Sequence, residues 1–400
     1  MKILLVTQFF HPENFKSNDI AFELAGRGHK VTVLTGIPNY PKGRFYNGYG
    51  LFCRRREMVG GVRIIRTLVV PRGKGGGLML ALNYLSWAFF ASVRAFFMAL
   101  SHRYDAVIVH QTSPVTQGFP ALVVKCMRGT PIYFWVLDLW PESLRAAGGI
   151  GNPLILDFFG RIAGLMYRRS DWILISSKGF SESICAKGRF EDKLVYFPNW
   201  AEDACGNATD GNVPELPKGF KVMFAGNVGE AQDMPAVMSA AELLKGKGVV
   251  LIIVGDGRKM EWVRDYVLRH DLSDVVYLAG AHPSGEMPSY FRQADVLFLS
   301  LRDDYIFRLT APARLQTYMA AGKPVIAMAD GETADLVEEA ACGYACAAGD
   351  YRAFADCVLR MKSLPEDERV RMGMDGRDFF IKKFRKDRCI DHLCAILPEI

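Results

Sequence analysis

The chain alternates short apolar runs with stretches of helical periodicity, in two series separated by a segment without periodicity. Apolar runs that alternate with helices are typical of strands in parallel sheets with helices on both faces. The first series of predicted strands covers residues 3–7, 31–35, 62–67, 106–110, 132–136 and 172–176, and the second covers residues 222–225, 249–254, 275–279, 296–300, 325–329 and 344–347. The pattern predicts an α/β protein with two Rossmann-like, doubly wound domains.

The length of 400 residues exceeds what one compact core usually holds. Between residues 198 and 219 the periodicity disappears and glycine and proline accumulate, which is typical of an interdomain linker. We therefore expect an N-terminal domain over residues 1–200, a C-terminal domain over residues 219–380, and a C-terminal helix over residues 381–400 that packs back on the N-terminal domain.

Charge and cysteine usage argue against several classes of protein. A net charge of +6 is too small to predict nucleic-acid binding by itself. The nine cysteines include no Cys-x-x-Cys pair and no histidine partners at zinc spacing, so we expect reduced cytosolic thiols. The chain opens on a predicted strand without a basic region and a cleavable apolar segment, so we expect a cytoplasmic protein whose sequon at Asn207 is unused.

Two segments of the second series point to a phosphate ligand. One apolar run leads into a Gly-Asn-x-Gly turn, Gly226 to Gly229, and then into a predicted helix, whose N-terminal N–H groups can bind an anion. Gly255 and Gly257 follow the next run, as in a tight turn beside a ligand crevice. A later cluster, residues 310–326, has Arg314 near the start of another predicted helix. Together they predict a diphosphate-nucleotide site, although each glycine turn could also be purely structural.

Six short motifs follow one another along the chain. They are Arg27-Gly-His-Lys-Val-Thr-Val-Leu-Thr35, Pro38-Asn-Tyr-Pro41, Asp138-Leu-Trp-Pro-Glu-Ser143, Gly226-Asn-Val-Gly229, Val254-Gly-Asp-Gly257 and Tyr318-Met-Ala-Ala-Gly-Lys-Pro324. In this order and spacing they resemble the GT-B glycosyltransferases of family 4, most closely bacterial enzymes that add amino or deoxy sugars, such as N-acetyl-L-fucosamine, to surface-polysaccharide precursors. The resemblance implies two domains facing across a cleft, with a UDP-sugar on the C-terminal domain, an acceptor on the N-terminal domain, and retention at the anomeric carbon.

The chain also departs from this family. Glutamates common in the family are replaced by Leu309 and Thr317, and a frequent lysine is replaced by Gln232. Cationic help for the leaving diphosphate then falls to Arg308 and Arg314, because a planar guanidinium binds phosphate bidentately. A solvated helical arginine is the alternative for each of them.

The resemblance implies the residues of the donor site and the catalytic set. The donor site is expected to include Gly226, Asn227, Val228, Gly229, Gln232, Gly255, Gly257, Arg308, Thr310, Leu315, Gln316 and Tyr318, and the catalytic set Asp138, Arg314 and Asp19. No cofactor is expected, since the UDP-sugar is a substrate. No metal is expected either: no Asp-x-Asp motif ends a strand of the first domain, and Asp303 with Asp304 is interpreted as a solvated or sugar-contacting pair.

Candidate acceptor residues end the strands of the first series. Asp138 follows the run 132–137, where its carboxylate could orient or deprotonate an acceptor hydroxyl, or cap the following helix. Asp19 and Lys16 are expected in the loop after the first strand. His110 and Gln111 end another strand at the same edge, although a lone histidine is more often structural.

Residues 78–100 form an apolar stretch long enough to span a bilayer, but Arg94 and three polar residues interrupt it. A charge at mid-span costs ~3 kcal/mol, so a buried helix against the sheet or a helix lying on a bilayer is favoured over a span. A basic cluster upstream supports the bilayer: Arg54, Arg55, Arg56, Arg63, Arg66, Arg72 and Lys74. We expect a peripheral position on the anionic inner face of the cell membrane.

Three functions remain open at this point. The first is a transferase that moves a sugar from a UDP-sugar to a lipid-linked saccharide acceptor. The second is a UDP-sugar epimerase of the same architecture, which needs neither acceptor nor membrane. The third is an inactive nucleotide-sugar-binding protein, suggested by the two missing glutamates. Dinucleotide redox chemistry is disfavoured, because the first strand leads into Phe9-Phe-His-Pro12 without a Gly-x-Gly-x-x-Gly turn.

Overall fold

The computed structural model describes residues 1–148, 150–201 and 213–398. The chain divides into two compact units, Met1–Phe197 with Ile390–Ile400, and Pro198–Cys389. Residues 202–212 of the predicted linker, which include Cys205 and the sequon at Asn207, lie outside the described residues. The chain returns to the first unit within its last helix, where Nη2 of Arg27 lies 2.7 Å from Oδ1 of Asp391.

The first unit is built on an eight-stranded sheet. Its strands are β1 (Lys2–Val6), β2 (Lys30–Gly36), β3 (Arg56–Val59), β4 (Val62–Thr67), β5 (Ala106–Gln111), β6 (Ile132–Val136), β7 (Trp172–Ile175) and β8 (Leu194–Tyr196), and its helices are α1 (Lys16–Gly26), α2 (Gly77–Ser101), α3 (Phe119–Arg128), α4 (Glu142–Gly148), α5 (Pro153–Arg169) and α6 (Phe180–Cys185). The strand order is β3-β4-β2-β1-β5-β6-β7-β8, and β3 alone is antiparallel to its neighbour. The order reverses between β1 and β5, so a crevice is expected at their carboxyl ends.

The second unit is built on a six-stranded parallel sheet. Its strands are β9 (Phe220–Ala225), β10 (Val249–Val254), β11 (Val276–Gly280), β12 (Val296–Ser300), β13 (Val325–Met328) and β14 (Gly343–Cys346), and the helices that follow are α7 (Met234–Leu244), α8 (Met260–Arg269), α9 (Met287–Gln293), α10 (Tyr305–Arg308), α11 (Ala313–Ala320), α12 (Glu332–Glu339), α13 (Tyr351–Ser363), α14 (Glu366–Lys383) and α15 (Lys386–Ile396). The order is β11-β10-β9-β12-β13-β14, with its reversal between β9 and β12.

The predicted fold class, two doubly wound α/β domains, is confirmed. Every residue of the central strands β5, β6 and β10 is buried, as expected for strands covered by helices on both faces. Burial of these continuous apolar runs is the main favourable term in forming both sheets.

The structure differs from the sequence prediction at three places. Strands β3 and β8 were not predicted, because β3 is a polar edge strand and β8 has three residues. Lys16 and Asp19 lie in helix α1 and not in a loop, since Ser17, Ile20, Ala21 and Leu24 place a buried stripe on that segment. The C-terminal segment holds the end of α14 and all of α15, with a break at Phe384 and Arg385.

Helix α2 buries one face, which is mostly alanine but includes Trp87 and Met98, and exposes the opposite face. The buried set is Asn83, Trp87, Ala88, Ala91, Ala95, Met98 and Ala99. The opposite face carries an apolar stripe, which consists of Leu78, Leu82, Leu85, Phe89, Val93, Phe96 and Leu100, each between 43% and 76% exposed. By length and composition α2 is the one helix in the described parts of the chain that could cross a membrane, yet its alanine face packs against α3 and the sheet. It is therefore not a fully buried helix.

Candidate active site

A pocket of about 550 Å³ lies in the second unit at the carboxyl ends of β9, β10 and β11. It is lined by Ala225, Gly226, Asn227, Val254, Gly255, Asp256, Ala281, His282, Ser284, Met287, Phe291, Ala313, Arg314, Thr317 and Tyr318. This is the edge of a parallel sheet where ligands bind. The pocket therefore brings together both glycine turns and the start of helix α11.

Glycine is required where the loops after β9 and β10 touch. The N–H of Gly226 donates to Val254 O at 2.8 Å, and the N–H of Val228 donates to Asp256 O at 2.9 Å. A Cβ atom on Gly255 would lie 1.9 Å from Gly226 O, and one on Gly257 would lie 2.3 Å from Val228 O. Gly226 and Gly255 also have positive φ angles of 137° and 148°. The glycines hold the two loops against each other, and Gly257 does so from outside the pocket lining.

Arg314 brings a positive charge to this pocket from the first turn of α11. Its guanidinium carbon lies 4.1 Å from the ring centroid of Phe224, and its Nη2 donates to Asn227 O at 3.3 Å. Burial lowers the pKa of Arg314, while the nearby Tyr318 raises it; an arginine nevertheless stays charged at neutral pH. Among the described residues no carboxylate lies within 4 Å of it. The guanidinium is thus partly buried, held in place and available to an anion.

The other donor-site residues predicted in and just before helix α11 mainly hold that helix in place. The hydroxyl of buried Tyr318 accepts from Ala225 N at 2.8 Å and so ties α11 to the end of β9. Leu315 and Gln316 are buried and do not line the pocket. Thr310 donates to Ile306 O at 2.7 Å in the turn before α11 and also lies outside the lining.

The loop after β9 differs from the predicted phosphate turn. Helix α7 begins at Met234, after the glycine turn has ended, and the carboxylate of Asp233 accepts from Ala236 N at its N-terminus. The N–H of Gly229 donates to Oε1 of Gln232 at 3.0 Å. The glycine turn and the N-terminus of α7 are thus separate, and the carboxylate of Asp233 caps the helix; contact between the turn and a phosphate stays a prediction. Val228, Gly229 and Gln232 shape the loop behind the pocket.

Arg308 lies in an ion-pair cluster at the surface. Its guanidinium is 2.7 Å from Asp303 Oδ1 and 3.7 Å from Asp330 Oδ2, and these carboxylates raise its pKa. Asp304 caps α10 by accepting from Ile306 N at 3.2 Å. Arg308 therefore lies outside the pocket lining, in contrast to Arg314.

The loop between β11 and α9 was not predicted as part of the site. The loop contributes Ala281, His282 and Ser284 to the lining, and α9 contributes Met287 and Phe291. His282 is fixed by Glu286 Oε2 at 2.9 Å and by the Tyr290 hydroxyl at 2.8 Å. A histidine and a proline directly after a predicted strand were the available signal, because parallel strands place such residues at the ligand edge.

In the first unit, Asp138 follows β6 and is held by side chains. Its carboxylate accepts from Trp140 Nε1 at 3.2 Å and from the Ser143 hydroxyl, and Ser113 is a further partner. These donors are not helix N–H groups, so the contacts do not support the helix-cap alternative. Burial raises the pKa of Asp138 to about 6, because desolvation outweighs these hydrogen bonds. The group can therefore change its charge close to neutral pH.

A cationic and aromatic cluster lies beside Asp138. The guanidinium carbon of Arg72 lies 5.0 Å from the ring centroid of Tyr40 and 5.9 Å from that of Tyr84. Tyr84, on helix α2, hydrogen-bonds with Ser113 and so connects the cluster to Asp138. Such a surface of rings and a guanidinium is suited to a saccharide. Sequence reasoning placed Arg72 only in the basic cluster and missed this arrangement.

Buried polar groups fix the loop that carries Tyr40. Oε1 of Glu13 accepts from Asn39 N at 2.8 Å and from Tyr40 N at 2.7 Å. Asn83, which interrupts the apolar stretch of α2, accepts from Gln8 Nε2 at 2.8 Å and donates to Val70 O at 2.5 Å. Asn83 thus connects helix α2 by hydrogen bonds to the loops at the carboxyl edge of the sheet.

The remaining candidates of the first unit are placed differently. Asp19 lies in the first turn of α1, with Oδ2 3.9 Å from Nζ of Lys16. His110 is buried, its Nδ1 lies 3.3 Å from the Thr7 hydroxyl, and burial lowers its pKa to about 3, so it stays neutral. Gln111 donates to Asp138 O at 3.1 Å. Within the described ranges no group of three or more potential metal ligands is found.

A solved structure and two family models are similar to this chain. The crystal structure of HepE from Anabaena in complex with UDP superposes with a TM-score of 0.73 at 14% identity, over 99% of each chain. A family model described as a glycosyl transferase 4-like domain matches residues 17–200, and one described as glycosyl transferases group 1 matches residues 219–363. The chain is a GT-B glycosyltransferase.

Two curated relatives of this glycosyltransferase are bacterial. It is 27% identical over 248 residues to the probable glycosyltransferase WbjE of Pseudomonas aeruginosa, a match that covers 58% of the chain and 61% of the relative. It is also 27% identical over 281 residues to the putative colanic acid biosynthesis glycosyl transferase WcaI of Escherichia coli, covering 64% and 66%. The matches thus span less than two thirds of either relative. Of the two family domains, the first contains Asp138 and the second contains the pocket with Arg314.

Proposed function

We propose that this glycosyltransferase moves a sugar from a UDP-sugar to a lipid-linked saccharide acceptor in the synthesis of a bacterial cell-surface polysaccharide. The observation that carries the proposal is the pocket of the second unit, where Arg314 is charged, partly buried and without a carboxylate partner among the described residues. A leaving UDP carries the complementary negative charge. HepE, which is similar in fold, was crystallised with UDP.

The roles follow from the chemistry of the transfer. The bond between the anomeric carbon and the diphosphate oxygen breaks, the acceptor oxygen bonds to that carbon, and the acceptor hydroxyl loses its proton. Arg314 stabilises the charge that develops on the diphosphate, because a fixed cation in a desolvated pocket needs little reorganisation. Asp138 orients the acceptor hydroxyl and takes its proton.

Helix α2 favours an acceptor with a lipid tail. It carries Tyr84 beside Asp138 and, on its outer face, the apolar stripe from Leu78 to Leu100. A hydrocarbon chain or a bilayer surface covers such a stripe, while the saccharide head reaches Tyr84 and Arg72. We therefore propose a peripheral position at the inner face of the cell membrane. The names of WbjE and WcaI support a sugar transfer of this class, and an N-acetylated deoxy sugar such as N-acetylfucosamine is the donor type that we propose to test first.

The test is to incubate the protein with a panel of UDP-sugars, with and without a polyprenyl-diphosphate saccharide, and to measure UDP release. The proposal predicts release that depends on the acceptor and is lost in Arg314→Ala but kept in Arg308→Ala. Conversion of the UDP-sugar without acceptor and without UDP release would indicate an epimerase. Binding of UDP without any conversion across the panel would indicate an inactive binding protein.

A further inference from the structure

A second pocket, of about 270 Å³, lies in the first unit between helix α2 and the β3–β4 hairpin. We call it the arginine pocket; it is lined by Arg56, Arg63, Ile65, Arg94, Phe97, Met98, Ser101, His102 and Tyr104. Neither family resemblance nor the proposed transfer gives this pocket a role.

The strand register explains why the arginines converge. Arg56 pairs with Ile65 and Met58 pairs with Arg63, so the side chains of Arg56, Arg63 and Ile65 lie on one face of the hairpin. Ile65 is 6% exposed on that face, while the C-terminal half of α2 brings Arg94 to the same pocket. Two adjacent elements thus direct three guanidinium groups into one space.

These three charges have no counter-charge in the described parts of the chain. None of them forms an ion pair there, and the nearby Glu57 lies on the other face of the hairpin, 2.6 Å from Nη2 of Arg66. The Nε atom of Arg94 is buried without a hydrogen-bond partner. Burial lowers the pKa of Arg94, and repulsion from Arg56 and Arg63 lowers it further. Like charges held together in this way are unfavourable until an anion joins them.

The position of the arginine pocket separates it from the proposed transfer site. Arg63 lies near the start of β4, and Tyr104 lies just before the start of β5. The pocket is therefore at the amino ends of the parallel strands, whereas Asp138 follows the carboxyl end of β6. Phe96 and Leu100 of the apolar stripe are exposed on the same turns of α2 that carry the pocket. An anion-binding pocket beside an exposed apolar stripe matches a phospholipid, which has a phosphate next to its acyl chains.

We propose that Arg56, Arg63 and Arg94 bind the phosphate of an anionic phospholipid while the apolar stripe of α2 enters the acyl region of the same leaflet. This inference rests on the membrane position proposed above and adds a defined headgroup site to it. The residues proposed here differ from the basic cluster that the sequence predicted. Arg66 is buried against Glu57, and Arg55 donates to Leu51 O at 2.9 Å, so both of these arginines already have partners within the fold.

The test is flotation with vesicles of phosphatidylcholine alone and with added phosphatidylglycerol, in the absence of UDP-sugar and acceptor. The variant Arg56→Gln, Arg63→Gln, Arg94→Gln is compared with Arg264→Gln, Arg269→Gln, Arg371→Gln, which removes the same charge from exposed positions on α8 and α14. We expect the first variant to bind phosphatidylglycerol vesicles on the order of 100-fold more weakly than wild type. The control variant is expected to stay within a few-fold of wild type.

Thermal melting of both triple variants shows whether either has a folding defect. The single variant Arg63→Gln changes an exposed residue and is expected to lose vesicle binding several-fold. Equal losses in both triple variants, or no binding of wild type at low salt, would overturn the proposal. Tight binding of inorganic phosphate without vesicle binding would assign the pocket to a soluble anion, and dimers without vesicle binding would assign the stripe to a second copy. Because no sugar transfer is measured, failure here is distinct from failure of the transferase proposal.

Discussion

A Cβ atom added to Gly226 would lie 2.6 Å from Nη2 of Arg314. The guanidinium is held there by the ring of Phe224 on one side and by Asn227 O on the other. The missing side chain after β9 therefore creates the space for the cation that follows β12. Gly226 therefore has two roles in the site: it forms the turn after β9, and it leaves space for the guanidinium of Arg314.

Gly226→Ala is expected to displace Arg314 and to weaken UDP binding at least tenfold, because the preorganised cation is lost. Isothermal calorimetry with UDP measures the effect. Gly246→Ala is the matched control: Gly246 also has a positive φ, 71°, but a Cβ atom there meets nothing within 4 Å. Backbone strain alone would lower the stability of both variants and leave UDP affinity similar in both. That outcome would contradict the proposed link between Gly226 and Arg314.

Arg314→Ala is expected to lower turnover by ~10²-fold or more, the scale of losing one preorganised electrostatic contact. Arg314→Lys should recover part of the rate, since it keeps the charge but loses the planar fork. Steady-state kinetics with the active UDP-sugar provides the measurement. Arg308→Ala serves as the control, because Arg308 is engaged with Asp303 and Asp330 outside the pocket lining. Similar losses for Arg308→Ala and Arg314→Ala would argue against the assignment.

The pKa of Asp138, raised to about 6, predicts a pH dependence of transfer. If the ionised carboxylate takes the acceptor proton, turnover rises with pH through about 6 and then levels off. Asp138→Asn should abolish transfer and preserve UDP binding. A pH–rate profile of wild type with calorimetry on the variant tests both statements.

The same shift has a consequence for stability. The pKa of Asp138 in the folded state lies above its usual value of 3.8. Its contribution to the stability of the fold is therefore fully present below pH 3.8 and is lost as the pH rises through about 6. Asp138→Asn should therefore flatten the pH dependence of the melting temperature in this range. A variant with normal activity and a lower melting temperature would assign Asp138 a purely structural role.

Trp87 and Phe89 lie two positions apart on α2 but face opposite ways. Trp87→Ala is expected to destabilise the protein by about 3–5 kcal/mol, since its buried ring leaves a cavity. Phe89→Ala should change stability by less than ~0.5 kcal/mol, because the ring is 64% exposed. Denaturant unfolding compares the two. A large loss for Phe89→Ala would show that the apolar stripe is covered within the folded protein.

Much of the fold was predictable because buried parallel strands are continuous apolar runs. The runs around Leu4, Ile108, Phe134 and Ile252 all became central strands. Strand β3 was not predictable in this way, because Arg56 and Met58 lie on an exposed edge where burial imposes no pattern. The two glycine turns were predicted to lie near one ligand, and the structure brings Gly226 and Gly255 together with Arg314.

Other features depended on partners that are distant in sequence. Gln232 was predicted as a donor-site residue, and its side chain accepts from Gly229 N. Arg308 and Arg314 were both candidates for the cation beside the diphosphate. The structure separates them, because Asp303 and Asp330 lie beside Arg308 while Phe224 and Asn227 hold Arg314. The spacing of residues along the sequence gives no information about such neighbours.

The sequence by itself determined two doubly wound domains and a ligand edge after β9 and β10, since hydrophobic period and glycine turns act within a few residues. Tertiary structure alone decided which face of α2 is exposed, because apolar residues occur on both faces and the alanine-rich face packs against α3 and the sheet. It also decided that Arg94, seen in the sequence as an interruption of an apolar helix, meets Arg56 and Arg63 in one pocket. Side chains that close packing brings together from separate elements carry no local signature in the chain.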